Sequence, residues 1–108
     1  MGLFKKRYEK NVSRDNEFLK KYAVRTNGLL MFTEHNEAVT RELNALKDDF
    51  QYTVATSDKE AKALEKKITE NFEALATALE QPQWEEEQVL LTIKVLRRAI
   101  NEISSLRS

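Results

Sequence analysis

The chain has 108 residues, 41% of them hydrophobic and 33% charged, with two glycines, one proline and no cysteine. This size permits one domain; the lack of cysteine excludes disulfides, thiolate metal centres and thiol catalysis; the scarcity of Gly and Pro excludes the frequent turns of an all-β fold. Eighteen bases balance eighteen acids overall, but residues 1–33 carry eight bases against three acids (net +5), residues 34–87 six against fourteen (net −8), and residues 88–108 four against one (net +3). Such asymmetry either marks a contact surface or lets opposite patches neutralise each other inside one bundle.

Residues 1–14 read as a basic arm. Phe4, Tyr8 and Val12 are four apart, as in a short amphipathic helix, and Lys5, Lys6, Arg7 and Lys10 are interleaved with them. This combination suits attachment to an anionic membrane surface or to the phosphates of a nucleic acid, or else is an unspecialised solvated arm. The positive start is not followed by the apolar stretch of a secretory signal. The longest apolar run, Gly28 to Phe32, is far short of the roughly 20 residues needed to cross a bilayer as a helix. Together with the absent cysteines, this makes a reducing, cytoplasmic location the expectation.

The next element is marked by Leu29, Phe32, Asn36, Val39, Leu43, Leu46 and Phe50, spaced alternately three and four apart and apolar except for Asn36. Residues so spaced share a face only on a helix, so a buried helical stripe is expected, with Asn36 as a polar seam residue of the kind that fixes register. The same phase runs back through Tyr22 and Phe18, which favours one continuous helix over about 15–53. The alternative is a break at Asn27-Gly28, a common helix stop, which would turn the earlier part into a short fourth helix. Ser57 and Glu60 have capping-box spacing, so a second helix is expected over 57–81, with Ala61, Leu64, Ile68, Phe72, Leu75, Ala78 and Leu79 on its inner face. Pro82 is expected to open a third helix over 83–107, with Glu85, Glu86 and Glu87 in its first turn and Val89, Ile93, Leu96, Ile100, Ile103 and Leu106 forming its stripe. The fold class expected is therefore an all-α antiparallel bundle of three long helices with coiled-coil-like packing, residues 15–108 forming the bundle domain.

Catalytic and metal chemistry find few residues to work with. His35 is the sole histidine, so a di-iron site with two Glu-x-x-His units cannot be assembled within the chain, and a Ser-His-Asp arrangement would have one possible base and no Gly-x-Ser-x-Gly elbow to present its nucleophile. The carboxylate pairs Glu34/Glu37 and Glu70/Glu73 lie among polar neighbours and read as solvated faces. No metal ligand, catalytic residue, cofactor or small-molecule substrate is expected. A continuous first helix would be about 57 Å long and each of the others about 37 Å. Its excess would leave Phe18, Leu19, Tyr22 and Val24 uncovered, so Phe18, Leu19 and Tyr22 are expected to bind a partner, with a homodimer favoured. Trp84 is either a fourth anchor for that partner or a plug closing the bundle end. These features together point to a non-enzymatic helical interaction or assembly protein. The alternative is a peripheral binder of anionic membrane or nucleic acid through the basic arm.

Overall fold

The computed structural model describes residues 17–54 and 59–106, and four helices pack there around one core. They are α1 (17–29), α2 (Glu37–Tyr52), α3 (Lys59–Glu80) and α4 (Glu86–Leu106), with a single 3-10 turn at Leu30–Phe32 between the first two. The arm expected at 1–14 and the capping residue Ser57 lie outside the described residues.

The expected continuous helix over 15–53 is two helices. Gly28 itself is helical: α1 runs through it with a negative φ and stops one residue later, at Leu29. The break is made by side chains that bond to the backbone. Thr33 is fully buried; its hydroxyl bonds to the Leu30 carbonyl at 3.2 Å and to the Thr40 hydroxyl at 3.0 Å. Thr40 donates in turn to the Thr33 carbonyl at 2.6 Å, and that carbonyl also accepts from the Asn36 N–H at 2.8 Å. Asn36 is extended (φ −131°, ψ 103°), and its Oδ1 accepts from the Val39 N–H at 3.0 Å. It is therefore the N-cap of α2 and not a seam residue, satisfying one of the amide donors that a helix start leaves open.

Because of this break α1 folds back onto the bundle, and the residues expected to stand uncovered become part of the core. Leu19 is 1% exposed and Tyr22 2% exposed, with Phe18 partly buried against them. The Tyr22 ring lies 4.8 Å from that of Phe72 on α3 and 5.6 Å from that of Phe50 on α2, centroid to centroid, and Phe50 and Phe72 are 6.0 Å apart. Tyr22 donates its hydroxyl to Thr69 Oγ1 at 3.1 Å, so its polar tip is satisfied where the ring is buried. On the rim of this cluster Arg25 lies over the Phe72 ring and pairs with Glu73. Val24, on the opposite side of α1, remains 73% exposed.

The other two helices bury the stripes expected of them. Ile68, Phe72, Leu75 and Leu79 of α3 and Val89, Ile93, Leu96, Ile100 and Ile103 of α4 are buried, while Leu64, Ala78 and Leu106 lie at the margin. Pro82 does not open α4. It sits in the bend at 81–83, and helix resumes only after Trp84 has turned in against the bundle; the Glu85 carbonyl accepts the first helical bond, from the Val89 N–H at 3.0 Å. Glu86 and Glu87 occupy the first turn, where negative charge complements the helix dipole.

The pairings fix the topology. Tyr22 meets Thr69 and Arg25 meets Glu73, so α1 and α3 run parallel; Arg97 of α4 bonds to Glu42 and Asp49 of α2, level with the middle of that helix. Two helical hairpins, α1–α2 and α3–α4, are thus laid side by side. α4 packs along both α2 and α3, while α2 and α3 stand at opposite corners and meet through long side chains such as Phe50 and Phe72. Both hairpin loops lie at one end, where the His35 ring approaches that of Trp84 at 5.4 Å.

Candidate interaction surface

The residues singled out by sequence fall into three places. Phe18, Leu19 and Tyr22 are in or against the core, where they serve the chain itself. Trp84 is partly buried against the core and touches His35, the position of a plug between the two loops. Lys5, Lys6, Arg7 and Lys10 lie outside the described residues. The expectation of a homodimer rested on an uncovered first helix, and with α1 packed into the bundle that support is gone.

Among the described residues no three His, Asp or Glu side chains are placed to share a metal ion, and every buried side-chain polar atom has a hydrogen-bond partner. Glu34, Glu37, Glu70 and Glu73 are all exposed. The Arg25 hydrogen bond holds the Glu73 carboxyl below its ordinary value, and the same bond raises the Arg25 guanidinium. These shifts belong to an ion pair on the outside of the α1–α3 seam and do not poise an acid or a base beside a cleft.

Core packing does not account for the seam between α2 and α4, where an exposed leucine borders a groove. Parallel helices here leave a groove of about 870 Å³, against about 330 Å³ for the cleft beside Trp84 and about 430 Å³ for the hollow beside Val24. Leu91 projects from α4 at its edge and is 55% exposed, while Ala38, Leu90 and Val95 form a partly buried apolar floor. Arg97 lies across the groove, donating from Nε to Asp49 Oδ2 at 2.7 Å and from Nη1 to Glu42 Oε2 at 3.3 Å. The bond to Asp49 raises its guanidinium above the ordinary value. Arg41, Lys94 and Arg98 also line the groove; all three are exposed, and none is in an ion pair among the described residues.

This second stripe was readable but was masked by the first. Leu91, Val95 and Arg98 are spaced four and three apart, as are the core residues, but they belong to the outer side of the helix. A leucine out of phase with an otherwise clean core stripe was the available signal. Compared with protein-family models, curated proteins and solved structures, the chain matches none.

Proposed function

We propose that this protein is a non-enzymatic interaction module that binds another protein through the outer face of α2 and α4. One observation carries the reading: Leu91 stands largely in solvent above a concave apolar floor, although the same helix buries six other side chains in the core. Single exposed leucines are common, but one at the edge of a groove floored by Leu90, Val95 and Ala38 and ringed by cations that form no ion pair among the described residues has the composition of a docking surface, with an apolar centre and a charged rim. A bundle is well suited to this role, because the helices that form the groove are held rigidly by their inner faces.

Replacing Leu91 with glutamate tests the proposal without entering the core. The variant is expected to keep the wild-type helical circular dichroism and melting temperature to within a few degrees. Immobilised wild-type protein is expected to retain complexes that the Leu91→Glu protein loses. Identical retained proteins and identical native mass for the two would overturn the assignment of this face.

A further inference from the structure

We infer that the occupant of the α2/α4 groove is an acidic amphipathic helix about three turns long, docking its apolar ridge on Leu90, Leu91 and Val95 and its carboxylates on Arg41, Lys94 and Arg98. This rests on the preceding reading of the α2/α4 face and adds the chemistry of the partner.

Shape, charge and length each narrow the choice. The groove is the valley between two parallel helices, and the side-chain ridge of a third helix is what such a valley accepts. A flat bilayer would meet the exposed Leu91 before the less exposed Leu90 and Val95. Arg97 is already engaged by Asp49 and Glu42, so the groove-lining cations without an ion pair among the described residues are Arg41, Lys94 and Arg98, one from α2 and two from α4. Three such positive groups around an apolar floor favour a partner with carboxylates flanking its apolar positions and repel a basic one. The chain's own first sixteen residues are thereby disfavoured as occupant, since they carry five bases against two acids. The lining of the groove on α4 extends from Leu90 to Asn101, which is about 17 Å of helix and matches roughly three turns of a partner. A free peptide of that length is marginally helical in water, so it folds as it docks.

The test uses the full chain and a fluorescently labelled peptide of about 14 residues with leucines at i, i+3, i+4 and i+7 and glutamates elsewhere. Two partners serve as controls: the same peptide with lysine in place of every glutamate, and vesicles of anionic phospholipid. Fluorescence anisotropy is expected to show saturable binding of the acidic peptide that weakens as salt is raised, with the lysine peptide at least about tenfold weaker. Leu91→Glu is expected to abolish binding, and the double substitution Lys94→Glu with Arg98→Glu to reverse the preference toward the lysine peptide. Both substitutions are on the solvent side, and an unchanged circular dichroism spectrum establishes that the variants are folded. Equal affinity for the two peptides, binding to neither, or vesicle binding in place of peptide binding would overturn the inference. If the peptide arms fail while Leu91→Glu still changes the complexes retained by the whole protein, the α2/α4 face stands and the acidic partner falls.

Discussion

Gly28 sits inside α1 with a negative φ, and a methyl group built on its Cα meets nothing within 4 Å. Its conformational freedom is therefore used nowhere in the folded chain, and its flexibility only enlarges the unfolded ensemble. Gly28→Ala is expected to stabilise the protein by about 0.5 to 1 kcal/mol, read as a higher melting temperature. Asn36 has the opposite standing. Its side chain closes an open amide at the start of α2, and Asn36→Ala is expected to cost about 1 kcal/mol in chemical denaturation, with Asn36→Asp or Asn36→Ser close to wild type. These two residues show why the first helix was misread from the sequence. Asn36 fell on the hydrophobic phase by coincidence of spacing and looked like a polar intruder in a seam; the real clue was chemical, in that Thr33, Asn36 and Thr40 bond to backbone more readily than they sustain a helix interior. Gly28, where the alternative reading placed the break, is itself helical, and α1 ends one residue beyond it.

At the scale of elements, the stripes on α3 and α4 were legible because each is unbroken over more than four turns and every other property agrees with it. What could not be read was which stripes face each other. The register of α2 on α4 depends on Arg97 reaching both Glu42 and Asp49, 55 and 48 residues away in sequence, and no local pattern encodes that distance. Arg97→Ala is expected to destabilise the bundle by about 1 kcal/mol, since the groups are partly exposed and solvent screens the pair. A cycle with Asp49→Ala checks whether that loss comes from the pair. The Arg25–Glu73 pair across α1 and α3 gives a pH signature instead. The folded state holds the Glu73 carboxyl below its ordinary value, so the unfolded chain binds the proton more readily. The stabilising contribution is complete above the unfolded carboxyl pKa of about 4.3 and is lost as pH falls through the folded value. Thermal melts between pH 7 and pH 2 are expected to show an acid limb that Glu73→Gln makes shallower.

For the molecule as a whole, α1 decides whether the bundle is complete. A three-helix arrangement would have left an apolar flank for a second copy, whereas the observed return of α1 places Tyr22 between Phe50 and Phe72 and covers that flank from within. Substitutions there should accordingly act on folding. Phe50→Ala is expected to cost about 3 to 5 kcal/mol, and Tyr22→Glu to abolish the cooperative melt outright, both measured by circular dichroism at several protein concentrations to separate unfolding from dissociation. The all-helical class and most of the core were thus visible in periodicity alone, while the number of helices was not, because it depends on a turn made by three polar side chains. One further property follows from where that turn comes to rest. It presents His35 to Trp84, the chain's only indole, which sits on the opposite hairpin. The sole tryptophan thereby stands at the meeting point of the two halves, and its emission, excited selectively near the red edge of aromatic absorption, offers a label-free optical gauge of whether they have closed on one another.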